Sequence, residues 1–113
     1  MSRDTLFLLP PGFHDRGERQ FCPECAEIWG LLSWYPAIFH SLTVTYVPIQ
    51  KPRAAMVDMI GDKNQNAPTL VLSDDSPTFD NCGIMMMRGH RFINNARDIA
   101  RYYAHRFGTP LPR

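Results

Sequence analysis

The chain has 113 residues, 44% hydrophobic and 20% charged, the composition of one folded domain rather than of a disordered segment or a two-domain protein. Its 12 Lys and Arg nearly cancel its 11 Asp and Glu, leaving +1, and without a basic run there is no electrostatic footprint for nucleic acid or an anionic membrane. No apolar stretch approaches the roughly 18 residues of a membrane span, and Leu6–Leu9, with Asp4 just before it, does not suit a secretory leader, so a single cytoplasmic domain over 1–113 is expected.

Thr5-Leu6-Phe7-Leu8-Leu9 is a short apolar run closed by Pro10 and Pro11, which predicts a buried strand. Residues 10–20 are rich in Pro, Gly and charge and read as a long loop. Cys22-Pro23-Glu24-Cys25 then opens a helix. Proline at the first helical position loses no hydrogen bond, and Glu24 suits the positive end of the helix dipole. Cys25, Ile28, Trp29 and Leu32 form one apolar face, and Pro36 marks a break or kink near its end.

Leu42–Val47, rich in β-branched and aromatic residues, is a second strand. Arg53 to Ile60 is a short helix with Gly61 as its stop. Ala67-Pro68-Thr69-Leu70-Val71-Leu72 is a strand with proline at its entry. After a polar loop from Ser73 to Gly83, Ile84 to Ile93 forms one more strand or a bent pair. Asn94 or Asn95 caps a last helix, with Asp98 placed as in a capping box. Ala96, Ile99, Ala100, Tyr103 and Phe107 are its apolar face, Gly108 and Pro110 end it, and 108–113 is a tail. The order is β-α-β-α-β-β-α. This predicts an α/β fold: a mixed four-stranded sheet with one parallel crossover pair and helices on both faces.

The chemistry concentrates at Cys22 and Cys25. A thiolate is the nucleophile, and a helix N-terminus, with its unpaired N–H groups and partial positive charge, favours one. Cys22, at the cap, is the expected attacking sulfur. Cys25, one turn inside, would resolve a mixed disulfide by attacking Cys22. A disulfide between them closes so small a loop that it adds only about 2 kcal/mol, so stapling does not explain the pair. A structural zinc site needs two further ligands, and His14, His40, His90 and His105 are scattered singly. Cys82 is expected in a loop at the far end of the sheet, roughly 15–20 Å from Cys22 by strand geometry, and so a bystander.

Cys22-Pro23-Glu24-Cys25 at a strand-to-helix junction, with Ala67-Pro68-Thr69 at a strand entry, resembles the thioredoxin/glutaredoxin fold over nearly the whole chain. Thr5–Leu9, Phe21–Pro36, Pro52–Ala55 and Ala67–Leu72 look most like a small bacterial thioredoxin-like family labelled as of unknown function. The resemblance implies a cis Pro68 whose loop lies against the two cysteines. It also implies that Pro23, Ala67, Pro68 and Thr69 contact an extended substrate or glutathione. Asn94, Asn95 and Asp98 stand where glutaredoxins hold the γ-glutamyl end of glutathione, although both glycines of that turn are replaced by Asn. The basic residue that precedes the motif in glutaredoxins is missing, with Arg16 or Arg19 as stand-ins from the loop.

Three readings follow. The first is a thiol–disulfide oxidoreductase acting on a protein disulfide or a glutathione mixed disulfide. It needs no cofactor or resident metal, and glutathione is left open as co-substrate. The second is a non-catalytic binding or accessory module on the same fold. The third is a metal or iron–sulfur protein using Cys22, Cys25 and either His14, His90 or a second subunit.

Overall fold

The computed structural model describes residues 3–113, so Met1 and Ser2 of the expected domain lie outside the described residues. Strand β1 (Asp4–Leu8) is followed by β2 (Phe13–Asp15) and β3 (Glu18–Gln20), then helices α1 (Pro23–Trp34) and α2 (Pro36–Ser41) and strand β4 (Leu42–Tyr46). Helix α3 (Ala54–Ile60) leads to β5 (Thr69–Val71), β6 (Met85–Met87), β7 (His90–Ile93) and α4 (Ala96–Phe107). The main sheet is mixed and five-stranded, ordered β4-β1-β5-β7-β6, rather than four-stranded. The parallel pair is β1 with β4, in register from Asp4↔Leu42 to Leu8↔Tyr46, as the crossover predicts. The pairs β1–β5, β5–β7 and β7–β6 are antiparallel.

Two corrections to the sequence reading share one cause. Residues 10–20 are not an open loop but contain the hairpin β2–β3. Ile84 to Ile93 takes the bent-pair form of its expectation, β6–β7, and the additional edge strand β6 makes the sheet five-stranded rather than four-stranded. Each hairpin turns through Arg-Gly. Arg16 and Gly17 have φ of 54° and 76°, and Arg88 and Gly89 have 54° and 79°. Two consecutive left-handed residues make the tight turn that matches strand twist. Glycine adopts it freely, whereas arginine is an uncommon first residue there, which is why the signal is faint.

Helix α1 stops at Trp34, and Pro36 starts the separate short helix α2, because proline cannot donate the next helical hydrogen bond. Asn95 caps α4 through its side-chain oxygen, which accepts the Asp98 N–H at 2.9 Å. Gly108 closes α4 in the left-handed conformation at φ 74°.

Alternation along β1 sends its side chains to opposite layers. Asp4 reaches α4, accepting hydrogen bonds from Tyr103 and Arg106. Thr5 and its cross-strand partner Val71 border a cleft with Met59 of α3. Helices therefore cover both faces, with α1 and α2 on the α4 side. Leu6, Leu8, Ile28, Ile38, Met56, Ile60, Leu70, Phe92, Ile93 and Tyr102 are fully or almost fully buried between the layers. Each large side chain so placed contributes about 1.5–3 kcal/mol of transfer free energy. No helix among the described residues is long and apolar enough to cross a membrane.

Candidate functional site

The hairpin β2–β3 returns the chain to the end of β1, and Phe21 leads directly into Cys22. Cys22 is the N-cap of α1, with extended backbone (φ −85°, ψ 112°) and Pro23 as the first helical residue. Its sulfur accepts the Cys25 N–H at 3.1 Å, the position a Ser or Asp oxygen takes in an ordinary cap. It also lies 3.8 Å from the Ala67 carbonyl oxygen, to which the thiol donates. The Ala67-Pro68 peptide is cis. Thr69 Oγ1 donates to Asn66 O at 2.6 Å, and Asn66 Nδ2 donates to Asn94 O at 2.6 Å. Side-chain hydrogen bonds thus tie the segment facing Cys22 at both ends.

The two thiols differ in setting. Cys22 is half-buried, whereas Cys25 is 4% exposed. All three cysteines are free thiols. Burial pushes the Cys25 thiol up to about 12, aided by the hydrogen bond and charge of Cys22 and the charge of Glu24, against a hydrogen bond from Leu9. Beside both sulfurs opens a pocket of about 220 Å³ walled by Leu9, Pro10, Pro11, Phe21, Ala26 and Trp29, with no charged side chain in its lining. Phe21 is 61% exposed at its rim. A larger groove between α1 and α4 is bordered by the tail through Pro110, Leu111, Pro112 and Arg113, away from the cysteines.

The expected glutathione residues are at the start of α4, and α4 is joined to the motif. The Ala96 N–H donates to Glu24 Oε1 at 3.3 Å. Neither Asn94 nor Asn95 uses left-handed backbone, and Asn95 is extended at φ −152°. Asp98 accepts from Asn95 Nδ2 at 2.9 Å and from Arg101 Nη1 at 2.6 Å. The capping box therefore closes side chain to side chain, and a carboxylate of the chain itself sits on the amide that opens α4.

Other candidates disperse. Arg16 is in the exposed turn of the first hairpin and Arg19 on its exposed strand. His14 is exposed on β2, and His90 borders the cleft with Met59 and Ser73, at the opposite end of β1 from Cys22. Among the described residues, no three His, Cys, Asp or Glu side chains gather as a metal-binding set. Cys82 is fully buried, but its loop does not stay at the far end. The loop runs back along α4, from Phe79 against Tyr102 and His105 to Gly83 against Asp98 in the first turn. A Cβ on Gly83, whose φ is 67°, would run into the Asp98 carboxylate, so a substitution there is strained and displaces that side chain. Burial pushes the Cys82 thiol up, and its hydrogen bond goes to Asp80 O.

One feature was missed as a site residue. Arg53 is 6% exposed and donates to the carbonyls of Pro48, Ile49 and Gln65; burial pushes its guanidinium down, and the charges of Cys25 and Cys22 push it up. A cation at a helix N-terminus opposes the dipole, which is the trace it leaves in the sequence.

Together these features define an α/β protein with a mixed five-stranded sheet, a Cys-Pro-Glu-Cys motif whose first cysteine caps the first long helix, and a cis-proline segment against that half-buried sulfur. The chain belongs to the family described as "Protein of unknown function (DUF3088)", whose model matches residues 3–111. No curated protein and no solved structure matches it.

Proposed function

We propose that this protein is a thiol–disulfide oxidoreductase on a thioredoxin-like fold, with Cys22 as attacking sulfur and Cys25 as resolving sulfur. The observation that carries the reading is the asymmetry of the pair: Cys22 caps α1, half-buried and held by the Cys25 N–H, and Cys25 is buried one turn inside. Attack by the Cys22 thiolate on a disulfide forms a bond from Cys22 to one substrate sulfur and releases the other as a thiolate, which takes up a proton. Cys25 then loses its proton and attacks Cys22, forming the Cys22–Cys25 disulfide and releasing the second substrate thiol. Two electrons pass from the dithiol to the substrate, and a thiol reductant must return them.

The setting of Cys25 suits this order. Two of the causes that hold its proton, the hydrogen bond and the charge of Cys22, vanish once Cys22 is in a mixed disulfide. A protein disulfide is the better-supported substrate. The pocket beside the sulfurs has an uncharged lining, and the α4 groups that would hold a γ-glutamyl end are engaged by Glu24, Asn95 and Arg101.

The test is mass spectrometry of reduced Cys25→Ser and Cys22→Ser variants incubated with insulin or with glutathione disulfide. Cys25→Ser is expected to accumulate an insulin-chain adduct at Cys22, faster than a glutathione adduct. Undiminished insulin reduction by Cys22→Ser would overturn the reading.

A further inference from the structure

The register of the hairpin β2–β3 pairs Phe13 with Gln20 and Asp15 with Glu18, so the chain leaves β1 and comes back to Cys22 at the same end of the hairpin. The two ends of the hairpin supply one wall of the pocket beside the sulfurs. Leu9, Pro10 and Pro11 stand on the way out and Phe21 on the way back. Helix α1 supplies the other wall through Cys22, Cys25, Ala26 and Trp29. The fold sets this shape in advance. The prolines fix their own φ angles, and the Trp29 ring packs on Phe39 of α2 with centroids 6.0 Å apart.

Four properties of the pocket select its occupant. Its side chains are apolar apart from the two thiols and the Trp29 indole N–H, and neither proline offers an N–H. A charged or amide group placed there gives up water for few partners. Its volume of about 220 Å³ is below the roughly 300–1,000 Å³ of small-molecule sites and suits one bulky side chain. Both sulfurs border it, so a disulfide that Cys22 attacks brings its neighbouring residues to it. Phe21, immediately before Cys22, leaves 61% of its surface in water, apolar surface that a seated side chain covers.

We infer that the pocket between the hairpin ends and α1 is a specificity pocket for a large apolar side chain beside the substrate cysteine, with Phe21 and Trp29 as its specificity-determining residues. The inference rests on the oxidoreductase reading and adds to it the class of disulfide preferred, one whose cysteine has a leucine-, methionine- or phenylalanine-like neighbour. That side chain is seated while Cys22 bonds to the substrate sulfur, so its burial lowers the barrier of the attack and fixes the geometry of the disulfide.

The experiment uses full-length Cys25→Ser protein, in which attack stops at the mixed disulfide. Its substrates are two oxidised peptide dimers, one with Leu on both sides of its cysteine and one with the uncharged, similarly sized Asn there. Mass spectrometry times the Cys22 adduct, and each rate is divided by that of free glutathione with the same peptide, which removes the intrinsic reactivity of the disulfide. The Leu peptide is expected to react about tenfold faster than the Asn peptide. Phe21→Ser and Ala26→Gln, both at exposed positions, are expected to cut that preference to about twofold. A ratio taken within one protein cancels any change in the Cys22 thiol. Near-UV circular dichroism reports the fold, and if one variant does not fold the other decides. Equal rates for the two peptides on the parent protein, or a full preference kept by the folded variants, would overturn the inference. The oxidoreductase reading fails separately: no adduct with either peptide or with insulin sinks it and the inference with it, whereas equal adducts sink the specificity pocket alone.

Discussion

Cys25 offers the sharpest quantitative test of the site. An ordinary cysteine, with a pKa of 9.0, is half ionised at pH 9, whereas Cys25, pushed up to about 12, is ionised only about once in a thousand. Alkylation follows the thiolate, so at pH 9 Cys25 is expected to react about 500-fold more slowly than a free thiol, before any further slowing by its burial. Replacing Cys22 with alanine removes the hydrogen bond and the charge contributed by that residue and leaves burial, the largest cause, in place. The Cys22→Ala protein should therefore alkylate Cys25 at least several-fold faster than wild type does, yet still well below a free thiol. The assay is time-resolved iodoacetamide labelling with peptide mass spectrometry, alongside denatured protein as the free-thiol reference. Labelling of wild-type Cys25 at the free-thiol rate, or no acceleration in Cys22→Ala, would refute the argument that burial and Cys22 together hold its proton.

Asp4, with a fully buried side chain, accepts from Ser73 N at 2.9 Å, Ser76 Oγ at 2.5 Å, Tyr103 Oη at 2.7 Å and Arg106 Nη1 at 2.9 Å. Asp4→Ala strands the Tyr103 hydroxyl and the Ser73 N–H, while the partly exposed Arg106 finds water, so a loss of about 3 kcal/mol is expected in urea unfolding. A loss under about 1 kcal/mol would mean that the network relaxes freely. Burial and Asp4 hold the Tyr103 hydroxyl well above its ordinary value of 10.0. The folded state therefore keeps a proton that the unfolded chain gives up, and stability is full below about pH 10 and falls as pH rises beyond it. Tyr103→Phe should make that alkaline decline shallower, and superimposable urea midpoints against pH for the two proteins would contradict it.

Much of the fold is legible because it is written locally. The apolar run Leu6–Leu9, the β-branched run at 42–47 and the apolar spacing of Ala96, Ile99, Ala100 and Tyr103 each state their period within one element. Asn95 and Gly108 carry their caps in residues whose conformations are intrinsic, and Cys22-Pro23-Glu24-Cys25 announces a helix start and two thiols in four residues. The hairpins are fainter, because an Arg-Gly turn states its left-handed pair through glycine alone. The separate helix α2 is fainter still, since a proline that interrupts a helical pattern looks the same whether the chain bends or restarts.

The sequence by itself determined the class of the sheet, the parallel crossover and the position of the two cysteines at a helix mouth, since each follows from periodicity or from the chemistry of neighbouring residues. Only the tertiary structure decided what surrounds the sulfurs. The Ala67 carbonyl on Cys22, the Glu24 carboxylate on α4, the return of the Cys82 loop along α4 and the burial of Arg53 all join residues far apart in the chain. Such contacts depend on how layers pack, and local propensity holds no record of that. An arginine at a helix N-terminus is a faint signal by itself, and what marks Arg53 as buried is which carbonyls the fold brings to it.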